Sequence, residues 1–214
     1  MQFIEQLRTR IIPVIVIDDA DDALPLARTL FEAGLTTLEI TLRTPAAIES
    51  IRRIAGEMPE LNLGAGTLTR VEEIDAVQAA GARFALAPGF SERVVSAAAQ
   101  AGLEYVPGVM TPSEVMRAAE AGCRWLKLFP AEQSGGPSML RALASPFSQI
   151  RFCPTGGIDA GKAPAYLAMP NVFAIGGSWM VPAQALRERH WEAIGALARE
   201  AVALAEASAI PTRQ

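Results

Sequence analysis

Short apolar runs recur along this chain at a nearly constant interval. They fall at residues 11–17, 36–42, 61–65, 82–87, 103–106, 124–129, 150–153 and 172–175. Their centres are roughly 20 to 25 residues apart, the period of a strand followed by a helix. Ala-rich or amphipathic segments at 22–33, 45–57, 70–80, 91–101, 112–121 and 191–207 fill most of the intervals and carry helical spacing of apolar positions. Gly34, Gly81, Gly102 and Gly122 stand where such helices stop, since glycine takes the left-handed conformation that ends a helix at no steric cost.

Eight such units without an intervening linker predict an α/β fold, a single (β/α)8 TIM barrel over residues 1–214. An open doubly wound sheet shares the same local pattern. Residues 1–10 are expected to form a short N-terminal helix covering the lower end, and 208–214 a loose tail.

Composition narrows the function classes. Half of the chain is hydrophobic and the net charge is −4 with no block of like charges, so neither a nucleic-acid face nor a membrane patch is expected. The first residues lack a charged-then-apolar signal pattern, and the run 11–17 is too short to span a bilayer; the expected location is cytoplasmic. Cys123, Cys153 and His190 are too few and too scattered for a zinc cluster. Both thiols read as buried and structural, His190 as surface, and no metal or cofactor is expected.

Charge type supplies the first chemical signal. The chain has seventeen arginines and two lysines, Lys127 and Lys162. Lys127 lies inside the apolar run 124–129, which Pro130 stops. A buried amine can be held uncharged and add to a carbonyl, whereas a guanidinium cannot. A lysine snorkelling from a strand end is the alternative.

Barrel active sites collect at the C-terminal ends of strands. Alternation places Glu39, Thr41 and Arg43 on one side of the second run. If Glu39 and Lys127 both point inward, they face each other from the second and sixth strands, an amine and a carboxylate around one cavity. A structural ion pair is the other possibility. The seventh and eighth runs end in Gly156-Gly157 and Gly176-Gly177-Ser178, positions where barrel loops bind phosphate through backbone amides, although tight turns also use paired glycines. Thr67 can meet a carboxylate, or be an N-cap or turn residue before the helix at 70–80, and Arg43 offers a charged fork. Phe129, Pro88 and Pro107 are expected to shape the pocket.

The motifs LEITLRT (38–44), GAGT (64–67), APG (87–89), KLFPAE (127–132), RFCPTGGI (151–158) and IGGSWMVP (175–182) closely resemble the 2-keto-3-deoxy-6-phosphogluconate (KDPG) aldolase family. The likeness runs through about residues 11–190, and the combination is far more specific than any one motif. It implies a class I, metal-independent aldolase of the Entner-Doudoroff pathway, forming homotrimers and acting on a phosphorylated keto acid and pyruvate, with 4-hydroxy-2-oxoglutarate as a further substrate. By that resemblance Lys127 forms the Schiff base and Glu39 shuttles protons. Arg43 and Thr67 match the contacts to the pyruvoyl carboxylate, Pro88 and Phe129 the pocket walls, and Gly156, Gly157, Gly177 and Ser178 the phosphate end. Two rival readings are an aldolase for 4-hydroxy-2-oxoglutarate alone and a non-catalytic phosphosugar-binding barrel.

Overall fold

A computed structural model describes residues 1–208. The tail expected at 208–214 therefore falls, beyond Ser208, outside the described residues. The elements run α1 (Gln2–Glu5), β1 (Ile11–Ile15), a 3-10 turn (Ala20–Asp22), α2 (Ala23–Glu32), β2 (Thr37–Thr41), α3 (Ala47–Glu57), β3 (Asn62–Gly66), α4 (Glu73–Ala79), β4 (Phe84–Leu86) and α5 (Glu92–Ala101). They continue with β5 (Glu104–Val106), β6 (Gly108–Val109), α6 (Pro112–Glu120), β7 (Trp125–Leu128), α7 (Gly136–Ala144), β8 (Arg151–Pro154), α8 (Ala163–Leu167), β9 (Ile175–Gly177), α9 (Ala183–Arg187) and α10 (Trp191–Ala207).

Every strand pair is parallel. Six strands form a curled sheet in the order β5-β4-β3-β2-β1-β9, and three more form β6-β7-β8. Only Pro107 separates β5 from β6, and a lone bridge joins Thr155 to Gly176. Pro107 has no N–H to give a ladder and stands at the break, with β6 lying beyond the run at 103–106.

All five residues of β1, of β2 and of β3 are buried, as parallel strands covered on both faces must be. On β2, Leu38 and Ile40 join the main core with Leu26, Leu30, Ile51 and Ile54 from the helices. The alternate residues Thr37, Glu39 and Thr41 are buried and polar. Thr41 satisfies its hydroxyl by donating to the Ile15 carbonyl at 2.9 Å.

Glycine marks the stop of four helices, and a side chain caps the start of α5 and of α6. Gly34, Gly81, Gly102 and Gly122 all have positive φ. Thr111-Pro112-Ser113-Glu114 makes a complete capping box, with the threonine hydroxyl on the Glu114 N–H and the Glu114 carboxylate on the Thr111 N–H, and proline at a position whose N–H has no helical acceptor.

The N-terminal helix is a single turn, Gln2–Glu5, and residues 6–10 continue as turn and bend. It closes the lower end: Phe3 stacks on Phe84 with centroids 4.3 Å apart, and the Glu104 carboxylate accepts from the Phe3 N–H at 2.8 Å. Gly64 makes room for that plug, since a Cβ there would lie 2.2 Å from the Phe84 ring. The eighth strand is Ile175–Gly177, three residues beyond the start of the run at 172–175; Val172 makes only a lone bridge to Phe152. No helix among the described residues is long and apolar enough to cross a membrane.

Candidate active site

β2 delivers Glu39 and β7 delivers Lys127 to the same interior point. Lys127 Nζ donates to Glu39 Oε1 at 3.0 Å, and the two residues are 3% and 1% exposed. Lys127 is therefore no snorkelling surface lysine. Its register neighbours are Gly108 on β6 and Cys153 on β8, a bare backbone and a small thiol, so no bulky side chain crowds the amine from either strand. Burial pushes the Cys153 thiol up to about 12, which keeps it a neutral wall rather than a rival nucleophile.

Glycine makes the carboxylate's position possible. A Cβ on Gly66 would lie 2.2 Å from Glu39 Oε1, so the GAGT motif is the floor on which Glu39 rests. The second oxygen, Glu39 Oε2, is buried with no hydrogen-bond partner among the described residues. Buried carboxylate oxygens are rarely left so, and this one has room in its bonding to accept a further hydrogen bond.

Arg43 and Thr67 form a second group, above the pair. Arg43 is exposed and its Nε donates to Thr67 Oγ1 at 3.2 Å. Thr67 has φ 62, a left-handed conformation that a β-branched residue seldom adopts. Thr67 does not cap a helix, which leaves the turn residue and the ligand contact as its readings. Helix α4 starts at Glu73, whose own carboxylate accepts from the N–H groups of Thr69 and Arg70 at 2.8 and 3.0 Å.

A cleft of about 340 Å³ is lined by Arg43, Phe129, Gly156, Gly157, Gly177 and Ser178, while Lys127, Glu39 and Thr67 are not among its lining residues. That is the size of a small-molecule site. The Phe129 ring centroid is 5.8 Å from Lys127 Nζ, so this ring separates the amine from the glycine loops. Gly156 and Gly157 have φ 107 and 76, and their N–H groups find no acceptor among the described residues. Pro88 is not on the cleft wall. Its backbone packs on Gly108, where a Cβ would lie 2.4 Å from the Pro88 carbonyl carbon, and its influence reaches Lys127 through that strand.

Among the lining residues that a reading of the sequence does not single out are Thr155, Val14 and Val16. Thr155 is 5% exposed and carries the cleft wall between Cys153 and Gly156. Val14 and Val16 come from β1 and the residue just beyond it, with Val16 38% exposed. Strand-end position alone flags Val16, but an apolar residue among polar strand ends gives no chemical signal. His190 and Lys162 are both exposed, while Cys123 is half-buried.

A sequence profile of the family described as KDPG and KHG aldolase matches residues 4–197. The chain is 47% identical over 205 residues to the 2-dehydro-3-deoxy-phosphogluconate aldolase of Dickeya dadantii, covering 95% of this chain and 96% of that one. It is 46% identical over 192 residues to the KHG/KDPG aldolase of Escherichia coli K12, covering 90% of each. Among solved structures it is similar to the KDPG aldolase of Legionella pneumophila with pyruvate captured as a covalent carbinolamine, with TM-score 0.89 and 41% identity over 91% of this chain and 94% of the other. The KDPG aldolase of Zymomonas mobilis ZM4 with 3-phosphoglycerate gives TM-score 0.88 and 41% identity over 94% and 95% of the two chains.

Proposed function

The chain belongs to the KDPG and KHG aldolase family, and from that premise we propose that it cleaves 2-dehydro-3-deoxy-6-phosphogluconate reversibly to pyruvate and D-glyceraldehyde 3-phosphate through a Schiff base on Lys127. The observation that carries the assignment of roles is the Lys127–Glu39 pair, a buried amine held 3.0 Å from a buried carboxylate beside Phe129, whose ring lines the cleft.

Moving one proton along that hydrogen bond turns ammonium and carboxylate into neutral amine and neutral acid. The amine adds to the C2 carbonyl, and Glu39 protonates the departing hydroxyl as the carbinolamine loses water. The resulting iminium draws the C3–C4 bonding electrons toward nitrogen. Glu39 accepts the C4 hydroxyl proton as that bond breaks, and the aldehyde leaves. The enamine is then protonated at C3, and water returns pyruvate and free Lys127. Arg43 and Thr67 hold the carboxylate of the keto acid, Phe129 walls the reacting carbons, and the amides of Gly156 and Gly157 with Gly177 and Ser178 receive the phosphate. The phosphate end is remote from the bond that breaks and contributes positioning.

The same chemistry extends to 4-hydroxy-2-oxoglutarate, which supplies the keto acid but no phosphate. We also assign the two sheets to one closed (β/α)8 barrel in a single domain. The Thr155–Gly176 bridge and the unbroken chain from β5 to β6 support closure. A cytoplasmic homotrimer is the assembly proposed by kinship.

Coupled assays for pyruvate and triose phosphate test the substrate. Release of both from the phosphorylated acid is expected, with Ser178→Ala raising KM on that acid and leaving 4-hydroxy-2-oxoglutarate kinetics alone. Equal turnover of the two acids, unchanged in Ser178→Ala, would remove the phosphate reading. Absence of any cleavage would favour a binding barrel.

A further inference from the structure

Lys162, the second of two lysines in an arginine-rich chain, is unused in the mechanism above. It follows the Gly156-Gly157 loop and is tied to it. Lys162 Nζ donates to the Gly157 carbonyl at 2.8 Å and makes ion pairs with Glu132 Oε2 at 3.2 Å and Asp159 Oδ2 at 3.5 Å. The other oxygen of Glu132 accepts from the hydroxyl of Tyr166, a fully buried residue of α8.

The backbone completes the clamp. The Glu132 N–H donates to the Gly156 carbonyl at 3.1 Å. Glu132 also packs flat on the glycine pair, since a Cβ on Gly157 would lie 2.8 Å from Glu132 Cγ. Both carbonyls of the pair thus have donors, one on the loop after β7 and one on Lys162. Their N–H groups are left without an acceptor beside the cleft that both glycines line. A loop able to turn a carbonyl toward an anion would repel it, so fixing the two carbonyls keeps the loop suited to negative charge.

We infer that Lys162, held by Glu132 and Asp159, is a positioning residue for the phosphate end of the substrate and so sets the preference for phosphorylated over unphosphorylated keto acids. This rests on the phosphate reading given above. The Lys162 side chain is 46% exposed, so its replacement tests the loop without opening the core.

The test compares wild type, Lys162→Met and Lys162→Arg, with inorganic phosphate as the probe. In wild type, phosphate competes with the phosphorylated acid. In Lys162→Met, the inhibition constant for phosphate and the KM for the phosphorylated acid both rise about 10-fold, as loss of a charged hydrogen bond implies. The kcat on that acid stays within about twofold, since positioning at the remote end is uniform binding, and Lys162→Arg recovers part of the loss. A general weakening of the fold would instead lower kcat on both acids, and that outcome overturns the inference. Competition in wild type with the same inhibition constant in Lys162→Met also overturns it while sparing the phosphate reading. No competition in wild type would remove both.

Discussion

Lys127 and Glu39 are separated by 88 residues of sequence and joined by a 3.0 Å hydrogen bond. The pair is sealed on two sides by positions that tolerate no side chain: Gly66 beneath the carboxylate and Gly108 beside the lysine. Burying two charges is costly, and the return in stability from their attraction is small or negative. Stability alone is therefore a weak reason for a chain to retain such a pair.

Two substitutions at Glu39 separate chemistry from structure. Glu39→Gln keeps size and a hydrogen-bond acceptor for Lys127 but cannot take a proton. Its kcat should fall by about 10² to 10⁴, with little effect on apparent substrate affinity. Glu39→Ala strands the lysine without a partner, and loss of one member of a buried pair costs about 3–5 kcal/mol. Steady-state kinetics and thermal melts of both variants check this; Glu39→Gln with wild-type kcat would dismiss the carboxylate from the mechanism.

Thr67 stores strain that the fold alone does not require. A residue held in a sparsely populated backbone region costs about 1–3 kcal/mol, and at φ 62 a glycine escapes that cost. Thr67→Gly should therefore melt no lower than wild type while its KM for the keto acid rises, because Arg43 loses the hydroxyl it donates to. A melt well below wild type with unchanged KM would make Thr67 a structural residue.

The sequence made the frame legible because period, apolar content and glycine stops agree at each unit. It also made the reactive pair legible, since a lysine in a buried strand contradicts local preference and so demands a reason. Less could be read where local signals are weak. Helices α7, α8 and α9 are short or follow glycine and proline, and α8 and α9 are only five residues long, too few to carry helical periodicity. The eighth strand contains Gly176 and Gly177, which have no side chains with which to announce a strand. Lys162 carries no local signal of its place, because its bond to Gly157 depends on the fold of a loop.

Acid should loosen the site's outer clamp. The Tyr166 hydroxyl and then Lys162 hold the Glu132 carboxyl below its usual range; hydrogen bonds from Arg53 do the same for Asp21 and Glu49. With native pKa values below unfolded ones, the unfolded chain takes up protons first as pH falls. The stability from these groups is then complete above the ordinary carboxylate range of about 4 and lost below it. Melting temperature should drop as pH is lowered through that range, less steeply in Glu132→Gln. A melting temperature that rises in acid would contradict the assigned contacts.

Every role assigned above depends on Lys127 bonding covalently to a keto acid. Borohydride added in the presence of pyruvate, followed by peptide mapping, tests it directly. A reduced pyruvyl adduct on Lys127 is expected, formed in wild type and absent from Lys127→Arg, with activity lost in proportion. An adduct on Lys162, or none on either lysine while cleavage proceeds, would contradict it.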